Sequence, residues 1–337
     1  SCHTGYPQAL MPADDQNRVD ETWHRKTDVS FGITCEGCHG PGGDLASKDN
    51  DRDGWFRLHL PPLNPKHPWR FLDPKVKWEQ HGYVDVRTPS NKARLCGTCH
   101  IGDVSRGRVV THEMYAAGHP PLPGFEIATF VAQMPTHWRS VAGKSDGEAG
   151  KSRSEFLAKT ADPFFSPDTF RLDSLHRTQS MLVGALVSLA QSLELTAGLS
   201  QRATSGSEWP ELAQFECYAC HHDLRDARWR RRVVKRSGRR PGQFSWSGWE
   251  SSMIRSLLVI GSTATGSESI ASLERVDTLT LPVAPDRDRM KIETAAMAAQ
   301  LDKWSVALNR HTFSVKDLDG LARRLVAKPE IHRGPVD

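Results

Sequence analysis

The stretch Cys35-Glu36-Gly37-Cys38-His39 carries the pattern that decides how this chain folds, because the pattern occurs twice more. The other copies are Cys96-Gly97-Thr98-Cys99-His100 and Cys217-Tyr218-Ala219-Cys220-His221. The chain begins Ser1-Cys2-His3, which matches the end of a fourth copy whose first cysteine would lie upstream of Ser1. All seven cysteines therefore belong to one repeated motif, Cys-x-x-Cys-His.

This motif is the attachment signal of c-type haem. Residues three apart lie on one face of a helical turn, so the two thiols can reach the same porphyrin edge. The histidine then supplies the proximal ligand of the iron. The pattern predicts four haems of the c type, the first incompletely attached in this chain. The predicted attachment residues are Cys2, Cys35, Cys38, Cys96, Cys99, Cys217 and Cys220, and the predicted proximal ligands are His3, His39, His100 and His221.

Three other roles for paired cysteines compete with haem. Structural zinc uses such pairs, but zinc does not require a histidine directly after each pair, as all three complete motifs have. A thioredoxin-like redox pair needs one motif in a βαβ setting rather than three in loop-rich sequence. Disulfide bonds are the third alternative. Covalent haem is favoured because it explains the cysteines and the histidines together.

Composition and charge limit the class of protein. Hydrophobic residues make up 38% of the 337, which is low for a chain of this size, and porphyrins would supply the missing apolar core. The formal net charge of +4 describes the apoprotein. Haem propionates would offset it, so no nucleic-acid partner is predicted. The longest apolar run, Met181 to Ala190, is too short to span a membrane.

The motifs also predict a compartment. Haem is attached to them outside the cytoplasmic membrane, so we expect a periplasmic or otherwise extracytoplasmic protein. The chain begins inside a motif, and a signal peptide, further haems or an anchor would lie upstream of it. Membrane association is expected only through such a segment or through a partner.

Motifs and composition divide the chain into three segments. Residues 1–140 carry the first three motifs and most of the prolines, which mark irregular chain. Residues 141–244 contain a long helix, the last motif and an arginine-rich basic stretch (225–240), and residues 245–337 form a C-terminal helical region. The predicted fold is mainly α with long irregular loops and little β-structure, a multihaem cytochrome c architecture wrapped around packed haems.

Apolar periodicity supports this in two places. From Phe170 to about Ser200, apolar residues recur at helical spacing and predict one long helix. A second helical face consists of Met290, Met297, Leu301, Trp304 and Leu308. The best strand candidates are short, namely Val109-Val110 and Leu279 to Val283.

Histidines outside the motifs are candidates for the second axial position of each iron. His112 and His119 flank a turn in which Gly118 can end a short helix and Pro120 favours extended backbone at His119. One rigid turn would thus aim two histidines, at two different haems. The other two predicted distal ligands are His24 and His176. The remaining histidines, His59, His67, His81, His137, His222, His311 and His332, are interpreted as surface or hydrogen-bonded side chains.

Residues 32–42, which read Gly-Ile-Thr-Cys-Glu-Gly-Cys-His-Gly-Pro-Gly, and the turn from Tyr115 to Pro120 resemble a known family. They are similar to the multihaem c-type cytochromes of the cytochrome c-554 type, which are tetrahaem electron carriers. Phe215 to Asp223 looks like the last haem motif of related multihaem proteins. The resemblance covers roughly residues 1–225. It implies four haems in closely packed pairs with mostly bis-histidine ligation.

Three functions are compatible with these residues. The leading hypothesis is electron transfer between redox partner proteins through adjacent haems. The alternative is an oxidoreductase acting on a small nitrogen or sulfur compound at a five-coordinate haem, with His137 and Arg139 beside the bound species. The third is a haem-bearing subunit whose C-terminal helices dock a larger complex. An electron carrier is favoured over an enzyme, since no Cys-x-x-Cys-Lys motif of the large multihaem reductases occurs.

Overall fold

The computed structural model describes residues 2, 33, 35–40, 55, 58, 69, 72–134, 175–203, 209–217, 220–221, 243–244, 254–257, 263–282, 284–311 and 313–327. Helices take up 70% of this part of the chain, and it contains no strand. The prediction of a mainly α fold is therefore confirmed. Two residues, Asp103 and Arg108, form an isolated β-bridge.

The two strand candidates were wrong. Val109-Val110 is irregular, and Leu279 is the last residue of a helix that gives way to a turn. Val283 lies outside the described residues. Short apolar runs form strands only when a second strand pairs with them, and the described part of this chain offers none.

Ten helices, α1 to α10, follow one another along the described residues. In chain order they are Cys35–His39, Pro74–His81, Pro89–His100, His112–Ala116, Ile127–Gln133, His176–Arg202, Ile254–Leu257, Thr263–Leu279, Arg287–Arg310 and Val315–Ala327. Short 3-10 turns occur at Val104–Arg106 and Leu212–Gln214.

The chain forms two compact units. The first contains Ser1–Cys96 and Pro135–Arg177, and the second contains Gly97–Met134 and Thr178–Asp337. The C-terminal helices α7 to α10 thus share the second unit with α4 and α5. The predicted boundaries at residues 140 and 244 rest on motif and composition, and they stay a prediction.

Helix α6 lies in the core of the second unit. Leu182, Leu186, Leu189 and Leu193 are fully buried, as the predicted periodicity requires. The long helix is confirmed from His176 onward, while 170–174 lie outside the described residues. The apolar run from Met181 to Ala190 was expected to be too short to span a membrane, but by length and composition the whole of α6 could cross one. However, 72% of its most apolar window is buried inside the protein, and core packing accounts for its apolar side chains.

The C-terminal helices bury the apolar face predicted from the sequence. Its five residues, Met290, Met297, Leu301, Trp304 and Leu308, are all at most 2% exposed on α9. Helix α8 packs along α9, where Ser272 Oγ donates to Gln300 Oε1 at 2.9 Å. The Gln179 side chain of α6 donates to the carbonyl of Asn309 at 2.7 Å, so α9 is joined to the core helix.

An aromatic cluster forms the described core of the first unit. Trp55, Leu58 and Trp69 are buried, and Leu72 and Tyr83 pack against them. Trp69 meets Tyr83 edge to face, with ring centroids 5.3 Å apart. This cluster lies beside the first complete Cys-x-x-Cys-His motif.

Candidate haem-attachment sites

Two of the three complete motifs are helical, and in both of them the helix ends at the motif histidine. The first motif is α1, and the second closes α3. In the third, the N–H groups of Cys220 and His221 donate to the carbonyl of Cys217 at 3.2 and 2.8 Å. One turn brings both cysteines of a motif to the same face, as the spacing predicts. All seven cysteines are among the described residues, and no disulfide bond joins any two of them.

Aromatic rings hold His39 in place. Its imidazole stacks on Tyr83, with centroids 5.6 Å apart and planes inclined by 8°, and lies 5.7 Å from the ring of Trp55. Burial raises the pKa of Tyr83, and the Asp85 carboxylate raises it further while Arg87 lowers it. Flat neighbours on two sides restrict rotation of the imidazole, so its direction is set by packing.

The backbone after His39 is locked by a close approach. Gly40 has φ +78°, and a Cβ there would overlap the carbonyl oxygen of Gly82. The N–H of Val84 donates to the His39 carbonyl at 2.9 Å, and Trp55 Nε1 donates to the Gly40 carbonyl at 2.9 Å. Only glycine lets the two segments meet here. The motif is therefore anchored directly at its histidine.

His100, in the second complete motif, also lies among aromatic rings. It stacks on Phe125 at 5.3 Å and meets Phe130 edge-on at 4.7 Å. Burial lowers the pKa of His100. The neutral imidazole that burial favours is the form that binds a metal ion.

A buried arginine supports the same motif. Arg108 is only 7% exposed, and its Nη1 donates to Thr98 Oγ1 at 2.7 Å. Thr98 Oγ1 lies 3.8 Å from Cys99 Sγ, so a positive charge is held close to the second cysteine of this motif. Gly97 of this motif lies so close to the side-chain amide of Gln191 in α6 that a Cβ at position 97 would overlap this amide.

The segment that leads into the third complete motif contacts the C-terminal part of the chain at two points. Trp209 Nε1 donates to the carbonyl of Pro285 at 2.8 Å. The ring of Phe215 stacks on Phe244 at 4.9 Å. Both motif cysteines and His221 are exposed, so they are accessible from solvent.

The turn predicted to carry two distal ligands is present. Thr111 Oγ1 caps α4 by accepting from the N–H of Met114 at 3.3 Å. Gly118 has φ +102° just after the helix, and the N–H of His119 donates back to the Met114 carbonyl at 2.9 Å. These bonds end the helix as glycine at this position predicts.

The two histidines of this turn have different surroundings. The His112 ring lies near the His221 ring, with centroids 6.2 Å apart and planes inclined by 33°. The backbone N–H of His112 donates to Glu211 Oε1 at 2.8 Å. His119 Nδ1 lies 2.7 Å from the Pro120 carbonyl, which can only accept. Nδ1 is therefore the donor of this hydrogen bond, which leaves Nε2 as the ring nitrogen on the other side.

Several predicted site residues have no described side chain. His3, His24, His137 and Arg139 lie outside the described residues, as does the basic stretch 225–240, and for His176 only the start of α6 is described. His81 meets Trp69 edge-on at 5.5 Å, and His311 Nε2 lies 3.5 Å from Asp317 Oδ2. In the described part of the chain, no cluster of three or more histidine, cysteine or acidic side chains is arranged to hold a metal ion.

Sequence reasoning missed the residues that surround the motifs. They are Trp55, Tyr83, Phe125, Phe130, Arg108 and Glu211. Each is distant from its partner along the chain, and no spacing rule connects them. Aromatic content was a signal for the four aromatic residues, and the sequence offered none for Arg108 or Glu211.

No protein family, curated protein or solved structure matches this chain. The resemblance to the cytochrome c-554 type stays a prediction.

Proposed function

We propose that this chain is a multihaem c-type cytochrome that carries electrons between redox partners. The observation that carries the proposal is the Cys-x-x-Cys-His motif, present three times in full and accounting with Cys2 for every cysteine. Two of the complete copies are helical, and in the third the N–H of His221 donates to the carbonyl of Cys217, which suits attachment of two thiols to one porphyrin edge. The proposed architecture is a mainly α fold wrapped around haems.

The residues around the motifs fit this cofactor. Paired thiols would form the thioether bonds, and the imidazoles of His39, His100 and His221 would bind iron from the proximal side. Aromatic neighbours pack against two of these imidazoles, His39 and His100. Bound haem supplies one-electron chemistry, and the protein supplies position, ligation and electrostatic tuning.

The proposal includes a compartment and partners. The protein acts in the periplasm or elsewhere outside the cytoplasm, with a donor and an acceptor protein at exposed haem edges. The basic stretch 225–240 suits an acidic redox partner. We propose redox proteins as its partners and propose no nucleic-acid partner.

Haem content tests the proposal directly. The chain is produced in a bacterial periplasm with a cytochrome c maturation system, and covalent haem is counted by pyridine haemochrome and intact mass. We expect one haem for each complete motif. The double variant Cys96→Ser/Cys99→Ser should lose one, and Asn91→Ala, on the exposed side of the same helix, should lose none. Protein that contains zinc and no covalent haem would overturn the proposal.

Carbon monoxide separates the electron carrier from the oxidoreductase. It binds ferrous haem only at an open or labile axial position. An unchanged spectrum after addition of carbon monoxide to the dithionite-reduced protein supports a carrier with every iron six-coordinate. A partial shift of the Soret band supports the alternative, with a five-coordinate haem acting on a small nitrogen or sulfur compound.

A further inference from the structure

The rings of His112 and His221 come from distant segments, and their centroids lie 6.2 Å apart with the planes inclined by 33°. Two imidazoles that bind the same metal through bonds of about 2 Å each have their ring centres about 6 Å apart. The separation therefore suits one metal atom between the two rings. His221 belongs to the third complete motif, and His112 was predicted independently as a distal ligand.

The surrounding contacts hold this arrangement at the backbone. Glu211 Oε1 accepts from the N–H of His112 at 2.8 Å and from the N–H of Ala213 at 3.1 Å. One carboxylate thus ties the start of α4 to the segment that enters the motif. Hydrogen bonds to a charged acceptor are among the stronger ones in proteins.

We propose that His112 and His221 are the two axial ligands of the haem attached to Cys217 and Cys220, with Glu211 as a positioning residue. This assignment rests on the proposed function. It also separates the roles of the two histidines in the α4 turn. His119, whose Nδ1 donates to the Pro120 carbonyl, is not assigned to this haem.

An ordinary contact between aromatic rings is the competing explanation of the distance, because such pairs have centroids about 4.5–7 Å apart. The spin state of the iron distinguishes the two. Loss of an axial imidazole converts a low-spin haem to a high-spin one that binds carbon monoxide, whereas loss of a packing contact leaves the spin state unchanged.

The test compares matured full-length wild type with His112→Ala and with the matched control Glu113→Ala, an exposed neighbour on the same helix. Covalent haem is counted first, and ferric electron paramagnetic resonance and carbon monoxide binding follow. For His112→Ala we expect an unchanged haem count, one additional high-spin haem, one additional equivalent of bound carbon monoxide, and return to low spin with added imidazole. Glu113→Ala should match wild type.

A variant that lacks the two cysteines of the third complete motif locates the affected haem. In a Cys217→Ser/Cys220→Ser background, which lacks the haem in question, His112→Ala should cause no additional spin change. A persisting change would assign His112 to a different haem and overturn the proposal.

The positioning role of Glu211 is tested by Glu211→Gln. This variant should leave the haem count unchanged but weaken the bond between His112 and the iron, which is seen as partial carbon monoxide binding.

If His112→Ala fails to mature, His112→Met keeps a possible iron ligand. We then expect a methionine–iron charge-transfer band and a higher reduction potential for one haem. A folded His112→Met or His112→Ala protein with the full haem count and a wild-type spectrum would overturn the assignment. Wild type without covalent haem would instead overturn the proposed function, so the two failures are distinguishable.

Discussion

At the residue scale, Arg108 places a buried positive charge beside the second complete motif. Oxidised haem carries one more positive charge than reduced haem, so a nearby cation disfavours oxidation. Arg108→Gln should therefore lower the reduction potential of the haem that we propose at Cys96 and Cys99. Arg106→Gln, which removes a half-exposed guanidinium of the same loop, is the matched control. Spectroelectrochemical titration measures both, and equal shifts in the two variants would contradict a local effect.

Gly40 gives a prediction about stability at the same scale. A Cβ at Gly40 would combine the cost of φ +78° with an overlap of the Gly82 carbonyl. At Gly107, φ is +62° and a Cβ would meet nothing within 4 Å. We expect Gly107→Ala to cost about 1 kcal/mol and Gly40→Ala about 3 kcal/mol or more of unfolding free energy. Urea denaturation measures both, and equal losses would show that the close approach is not needed.

At the element scale, α10 begins with a reciprocal cap. Ser314 Oγ accepts from the N–H of Asp317 at 3.2 Å, and Asp317 Oδ2 accepts from the Ser314 N–H at 2.8 Å. The backbone N–H of Ser314 is the largest cause that lowers the pKa of Asp317, its hydroxyl adds to this, and His311 contributes less.

The sign of the pH dependence follows from that direction. A carboxyl whose pKa is depressed by folding stabilises the protein above its unfolded value, about 3.9, and the stabilisation is lost as pH falls below it. Between about pH 5 and 3, the Tm of Asp317→Asn should fall less steeply than that of wild type. Asp319→Asn, exposed on the same helix, should follow wild type. Parallel Tm curves for wild type and Asp317→Asn would contradict the role of this cap.

Helix α6 provides the second prediction at this scale. Leu186 is fully buried, and its truncation would leave a cavity that the helix cannot close. Leu186→Ala should lower the unfolding free energy by about 3 kcal/mol. Glu194→Ala, on the exposed side of the same helix, should change it by less than about 0.5 kcal/mol. Chemical denaturation compares them, and a small loss at Leu186 would place α6 outside the core.

At the scale of the whole molecule, the C-terminal helices are built into the second unit. Arg287 Nη1 donates a hydrogen bond of 2.8 Å to the carbonyl of Ala203, the residue that follows α6. Trp209 Nε1 donates a hydrogen bond to the carbonyl of Pro285. Removing 245–337 should therefore lower soluble yield and abolish stable haem attachment at the third complete motif. If these helices served only to dock a larger complex, the truncated protein would keep its haem count and Tm. Pyridine haemochrome and thermal unfolding decide between the two.

The sequence by itself determined the elements whose causes are local. The Cys-x-x-Cys-His spacing predicted helical turns, Gly118 predicted the end of α4, and apolar periodicity predicted α6 and the buried face of α9. Hydrogen bonds and side-chain periodicity between near neighbours are enough to specify these features. The short apolar runs taken for strands failed because pairing is not a local property.

Only the tertiary structure decided which residues surround the motifs. The stacking of Tyr83 on His39, the burial of Arg108 beside Thr98 and the approach of His112 to His221 join residues that no spacing rule connects. Such contacts depend on how helices and loops pack once their apolar faces are buried, and many pairings are compatible with one sequence pattern. The motifs therefore predict which residues attach haem, while packing selects the residues that surround them.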